Sequence, residues 1–265
     1  FACSKPDSST RPGSGSGDPT ATGAVTLNGA GATFPYPLYS KWMSEYNKAN
    51  PTIRINYQSI GSGGGIRQIS AKTVDFGATD APMSTDEEQK APAKLHHIPT
   101  TLGAVVLTYN LPELSAPLKL SADAVAGVYL GSIKKWNDPK LVAENPEAKL
   151  PDRPIAVVYR SDGSGTTAVF TDYLAKVSIE YKDKVGAGKS VKWPVGLGAK
   201  GNEGVTGQVK TTPFTIGYVE LAYARQNKLP IAQVKNKAGK FVEPTAETIT
   251  AAATAESSGG SKFGP

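Results

Sequence analysis

Three short stretches of this chain combine glycines and hydroxyls in the same way: Asn28-Gly29-Ala30-Gly31-Ala32-Thr33-Phe34, Gly61-Ser62-Gly63-Gly64-Gly65 and Ser161-Asp162-Gly163-Ser164-Gly165-Thr166. Each follows a strand-like run and opens a helical one. Glycine lets backbone N–H groups approach a ligand closely, and a helix N-terminus adds unpaired donors and a partial charge of roughly +0.5. The hydroxyls of Thr33, Ser62, Ser164 and Thr166 add neutral donors. Such a set suits an anion. One loop of this kind is more often a tight turn, so the inference rests on the three together.

Charged neighbours sharpen the reading. Arg160 stands where a strand meets the third loop, and its planar five-donor fork suits bidentate contact with an oxyanion. Asp162, two residues on, is placed to hold that guanidinium, although a structural salt bridge is the plainer account of the pair. Asp80 is an ordinary loop cap on one reading. On the other, a carboxylate in an anion site repels its ligand unless the ligand carries a proton to donate. Near neutral pH phosphate keeps at least one proton and sulfate keeps none, so an acceptor at Asp80 would favour phosphate.

These groups converge only if the right elements carry them. Val25-Thr26-Leu27 reads as a short strand feeding the first loop. Pro37, Leu38, Trp42, Met43 and Tyr46 then mark a helix that stops at Asn50-Pro51. Ile53 to Tyr57 alternates as a strand, a helix is expected from Ile66, and Val74 to Ala78 is a third strand ending at Thr79-Asp80. The apolar run TLGAVVLTYN, ending at Asn110, suits a strand buried on both faces. Ser121-Ala122-Asp123 looks like a helix N-cap. Pro154 to Arg160 forms another strand, followed by a helix with Val169, Phe170, Tyr173 and Leu174 on its apolar face, and Phe214 to Val219 a further strand. Alternating strands and helices imply an α/β fold with mostly parallel sheets, in which ligands sit beyond the carboxyl ends of strands.

At 265 residues the chain has room for two lobes, and no run approaches the ~18 apolar residues of a membrane-spanning helix. The 29 Lys+Arg against 23 Asp+Glu give a net charge of +6, yet no basic cluster or interleaved aromatic stripe suggests nucleic acid. Cys3 is the lone cysteine, so an internal disulfide and a structural zinc site built on several thiolates are excluded, and no metal is expected. Its setting, Phe1-Ala2-Cys3 followed by a tract of Ser, Gly, Pro, Asp and Thr, resembles a bacterial lipoprotein start in which the exposed cysteine is lipidated; a spare tail thiol is the alternative. Enzyme signatures are wanting. His96-His97 are adjacent in an expected surface loop, neither Ser62 nor Ser164 sits in a G-x-S-x-G elbow, and no glycine loop ends in Gly-Lys-Ser/Thr.

Five segments, Asn28–Pro35, Ile60–Gly65, Val74–Pro82, Gly131–Trp136 and Arg160–Thr166, resemble in order the signature segments of the phosphate-binding protein of the bacterial phosphate-specific ABC importer. The likeness runs from about Val25 to Ala252. It implies a two-lobed type II periplasmic-binding-protein fold and a non-catalytic receptor without cofactors. On that resemblance phosphate is bound by Thr33, Phe34, Ser62 and Asp80 from the first lobe and by Arg160, Ser164, Gly165 and Thr166 from the second, with Asp162 orienting Arg160. Residue 79 is Thr where the family more often has Ser. Residues 1–24 are expected to be a lipoprotein-type N-terminus and flexible linker, 25–99 the first lobe and 100–244 the second. Residues 245–265 are expected to begin a return segment to the first lobe that family members continue for some tens of residues, leaving that lobe incomplete here. The expected partners are inorganic phosphate, the permease subunits of an ABC importer and the membrane through lipidated Cys3, for a monomer that is extracytoplasmic, either lipid-anchored or periplasmic. A receptor for another tetrahedral oxyanion such as sulfate or molybdate, and a phosphate sensor or surface protein without a transport role, are the alternatives.

Overall fold

The computed structural model describes residues 23–258; Cys3, most of the expected linker and the last residues of the chain lie outside them. Strand β1 (Val25–Gly31) leads through Thr33 to helix α1 (Tyr36–Ala49), β2 (Ile53–Ser59) runs into α2 (Ser62–Ser70), and β3 (Phe76–Ala78) follows. The three strands form a parallel sheet in the order β2-β1-β3, with Gly31 facing Ser59 on one side and Ala78 on the other. All three therefore end at the same edge. The loops carrying Thr33, Ser62 and Asp80 leave from there, as a parallel sheet requires of loops at the carboxyl ends of its strands.

Helix α2 starts four residues earlier than the sequence suggests, at Ser62 rather than Ile66. The glycines of the second loop are its first turn. Glycine is a poor helix former, which is why periodicity misses this turn. Its use here is steric: a Cβ on Gly65 would lie 2.5 Å from the Gly31 Cα and 2.7 Å from the Ala30 carbonyl oxygen, so α2 can rest on β1 only without one. Gly61, before it, has φ +84°, a left-handed value that favours glycine.

Helix α3 (Thr85–Gln89), closed by a Ser84/Glu87 capping box, precedes the second lobe. There β4 (Val105–Tyr109), β5 (Lys119–Leu120), α4 (Ala122–Leu130), α5 (Pro139–Glu144), β6 (Ala156–Arg160), α6 (Gly165–Val177), α7 (Ile179–Lys184), β7 (Leu197–Ala199), α8 (Gly201–Thr211), β8 (Thr215–Glu220) and α9 (Leu221–Gln226) succeed one another. Strands β9 (Gln233–Lys235) and β10 (Phe241–Val242) and helix α10 (Ala246–Ser258) complete the described chain. The main sheet has the order β4-β8-β6-β7, antiparallel between β4 and β8 and parallel elsewhere, and a small sheet joins β10, β9 and β5. A mixed α/β fold with mostly parallel sheets is what the alternation of elements implies.

The core sits mainly in the second lobe, where Trp136, Tyr129, Tyr218, Leu118, Leu120, Leu174 and Ile216 are fully buried. Phe170 and Tyr218 stack at its centre, their rings 4.4 Å apart, and Tyr129 meets Phe170 edge-on. Ser121 caps α4 by accepting from the Ala124 amide at 3.2 Å, as its sequence suggests. The first lobe is thinner. No residue of α1 is buried, and Trp42 and Tyr46 of its apolar stripe are about half exposed. The apolar run before Asn110 is a strand only from Val105; Leu102, ahead of it, is exposed.

Candidate functional site

The first lobe's three loops meet the N-termini of α6 and α8 in direct contact, and the residues singled out from the sequence lie along it. Strand β6 delivers Arg160, whose side chain is 1% exposed. Its Nε and Nη2 donate to the two Asp162 carboxylate oxygens at 2.8 and 2.6 Å. This bidentate fork leaves Nη1 to donate to the Thr166 hydroxyl at 3.3 Å. The Tyr218 hydroxyl accepts from the Arg160 amide at 3.1 Å and anchors the end of the strand. Burial raises the Asp162 carboxyl, but its bonds to Arg160 and to the Gly201 amide outweigh that and hold it below the ordinary carboxylate value.

Asp80 stands opposite, at the end of β3. One of its oxygens accepts from the Thr166 hydroxyl at 3.3 Å. Burial pushes its carboxyl up, the Arg160 charge and the Thr166 bonds recover only part of that rise, and the net value is about 6. It therefore remains mostly ionised at neutral pH. The Asp80 amide donates to the Ser62 hydroxyl oxygen at 3.3 Å, and the same oxygen accepts from the Gly165 amide, in the other lobe, at 3.0 Å. A Cβ on Gly165 would come within 2.5 Å of the Asp80 Cβ, so only a glycine lets α6 approach this closely. Ser164, the residue before, caps α6 by accepting from the Thr167 amide at 3.0 Å.

Thr33 is buried at the tip of the first loop. Its hydroxyl oxygen accepts from the Asn202 amide at 3.1 Å and from the Asn202 side chain at 2.7 Å, while its carbonyl accepts from the Tyr223 hydroxyl at 2.6 Å. Phe34 follows, its ring packed against Gly103 ahead of β4. Thr33, Ser62, Asp80, Arg160, Asp162, Gly165 and Thr166 thus belong to one hydrogen-bonded network running through Asn202, with Phe34 and Ser164 beside it.

Asn202 was not among the sequence candidates. Yet Ala199-Lys200-Gly201-Asn202 repeats the pattern of strand, glycine and helix start, with an amide in place of the hydroxyl. The lobes are tied again at the rim, where the Gly63 amide donates to the Gly163 carbonyl at 2.9 Å, Ser59 to Glu203 at 3.0 Å, and Lys189 to Glu87 at 2.6 Å. Among the described residues no group of three or more His, Cys, Asp or Glu is placed to hold a metal ion, and no helix is long and apolar enough to cross a membrane.

What the network can do is surround a small anion with oriented neutral donors, one buried cation and one buried acceptor. Relatives bear on that arrangement. A family profile described as the PBP superfamily domain matches residues 16–262. The Phosphate-binding protein PstS of Pasteurella multocida (strain Pm70) is 56% identical over 233 residues, covering 88% of this chain and 67% of that protein. Its namesake from Haemophilus influenzae is 53% identical over 232 residues, covering 87% and 69%. The chain thus spans about two thirds of the length of each. A Clostridium perfringens protein solved with bound phosphate superposes with a TM-score of 0.67 over 86% of this chain and 81% of its own, at 20% identity, a likeness that speaks for the fold. With over half of the aligned residues shared along most of its length, inside a superfamily match covering nearly all of it, the chain belongs to the phosphate-binding protein PstS family.

Proposed function

We propose that this chain binds inorganic phosphate in the cleft between its lobes and delivers it to the permease subunits of an ABC importer, without performing chemistry on it. In this reading Arg160 supplies the positive charge, held in direction by Asp162. The backbone amides of Thr33, Phe34 and Gly165 and the hydroxyls of Thr33, Ser62, Ser164 and Thr166 donate to the phosphate oxygens. Asp80 accepts the proton that phosphate keeps.

The observation that carries the reading is the placement of Asp80. An acceptor-only group in the same network as Arg160 and the helix N-termini is a liability for a fully deprotonated anion and an asset for a protonated one. The names of the relatives and the family membership point the same way. The finer arrangement belongs to the same proposal: residues 25–99 as the first lobe, 100–244 as the second and 245–265 as the start of a return segment. So does an extracytoplasmic monomer tethered by residues 1–24 through a lipidated Cys3.

Isothermal titration with phosphate and sulfate at pH 7.5 tests the binding claim. Tight one-to-one phosphate binding with little sulfate binding is expected. Equal affinity for the two anions, or none for phosphate, overturns it. Growth on limiting phosphate after deletion of the coding sequence tests delivery, since a receptor that only senses leaves uptake intact.

A further inference from the structure

Every acceptor site on two of the cleft hydroxyls is occupied, and one residue accounts for most of that. A threonine hydroxyl oxygen has two lone pairs and one proton. On Thr33 both lone pairs face donors of Asn202, its backbone amide at 3.1 Å and its side-chain nitrogen at 2.7 Å. On Thr166 they face Nη1 of Arg160 at 3.3 Å and again the Asn202 side-chain nitrogen, at 3.2 Å. What remains on each hydroxyl for donation is its proton, which on Thr33 has no partner among the described residues. That of Thr166 points to Asp80 at 3.3 Å.

The sense of the Asn202 amide is itself fixed. Its side-chain oxygen accepts from the Glu220 amide at 2.9 Å. A backbone N–H can only donate, so the group facing it must be the oxygen, and the NH2 must face the threonines. Asn202 is fully buried, and a flipped amide would set donor against donor out of reach of bulk solvent.

We propose that Asn202 is a positioning residue that fixes both cleft hydroxyls as donors, so that Thr33 presents its free proton and Thr166 a proton it shares with Asp80, and neither presents lone pairs, to the ligand. The inference rests on the phosphate-binding reading above and deepens it. A free hydroxyl is amphoteric and pays to reorient when an anion arrives; one whose lone pairs are already engaged is preorganised. Asparagine is the residue that meets the geometry, with two donors for two threonines and one acceptor for Glu220. Aspartate in the same shape would accept the threonine protons and turn oxygen lone pairs towards the anion.

A double-mutant cycle on the full chain, titrated with inorganic phosphate, tests this. Asn202→Ala is expected to weaken phosphate by about tenfold or more in the native background. In the Thr33→Val background, where one hydroxyl that it orients is gone, the same substitution should cost clearly less. Thermal melts check that the variants are folded. If Asn202→Ala melts out, Asn202→Asp, which keeps the shape, serves the same cycle and is expected to show the same loss of effect without the Thr33 hydroxyl. An equal fold-loss in both backgrounds marks a general structural role and overturns the inference while leaving phosphate binding standing. Failure of the unmodified chain to bind phosphate overturns the parent reading instead.

Discussion

The Ser62 hydroxyl oxygen, in the first lobe, accepts from the Gly165 amide of the second at 3.0 Å, while also accepting from the Asp80 amide at 3.3 Å. One buried atom therefore joins the two sides of the cleft and orients the carboxylate proposed to read the ligand's proton. Removing it in Ser62→Ala strands two backbone donors. The variant is expected to lose about 1–3 kcal/mol of stability by urea denaturation and to bind phosphate more weakly by titration calorimetry.

Arg160 and Asp80 are expected to fail in different ways. Arg160→Ala lowers affinity for every anion by about 1.5–3 kcal/mol, the scale of a charged hydrogen-bonding partner, and by more because Asp162 is left unpaired. Asp80→Asn costs phosphate less than it costs the preference for phosphate over sulfate. Titrating both variants with both anions separates the roles; matching losses in the two variants would remove the distinction.

Acid should erode that preference in the native chain. The Asp80 carboxyl, pushed up to about 6 by burial, protonates as pH falls through that value and becomes a donor. Sulfate affinity is expected to rise between pH 7.5 and 5.5, and to stay flat in Asp80→Asn, by titration across that window.

The same shift bears on stability. With the folded value above the unfolded one, the stabilising protonated form is fully present below the unfolded value near 4 and is lost as pH rises through about 6. Asp80→Asn should therefore exceed the native chain in stability by an amount on the order of 3 kcal/mol at pH 8, narrowing in acid. Denaturation at pH 8 and pH 5 measures the difference.

Gly165→Ala tests how closely the lobes must meet. Its methyl would fall 2.5 Å from the Asp80 Cβ, so Asp80 and α6 cannot both keep their places. Overpacking of this kind costs about 1–3 kcal/mol, or roughly tenfold to a hundredfold in affinity where closure is what suffers. Small-angle scattering on the ligated variant should show a more open particle than the native one.

Much of this site was legible from local pattern, for a physical reason. Strand ends, helix caps and the pair Arg160 and Asp162 are set by neighbours a few residues away. Ser121 is readable because a cap needs only the next turn, whereas the cap role of Ser164 on α6 shows only in the structure. The first turn of α2 was not, because glycine argues against helix and the compensating contact, Gly65 against Gly31, is tertiary. Asn202 escapes because the glycine and helix start at Gly201 mark a loop of the same kind but carry no hydroxyl, and its partners Thr33, Thr166 and Glu220 are scattered along the chain. Leu102 belongs to an apolar run yet stays exposed, since period and composition do not say where a strand begins.

The Arg160 and Asp162 fork has a consequence for the conditions in which such a receptor works. With the guanidinium matched by Asp162 and Asp80 added beside them, the titratable groups of the cleft carry no surplus of positive charge. The grip on an anion then comes from the buried Arg160 fork and from dipoles aimed inward, all acting at short range, which mobile ions outside screen far less than they screen exposed charges. A protein built this way is expected to hold its cargo with little loss between fresh and brackish surroundings, which phosphate titration across a salt series checks.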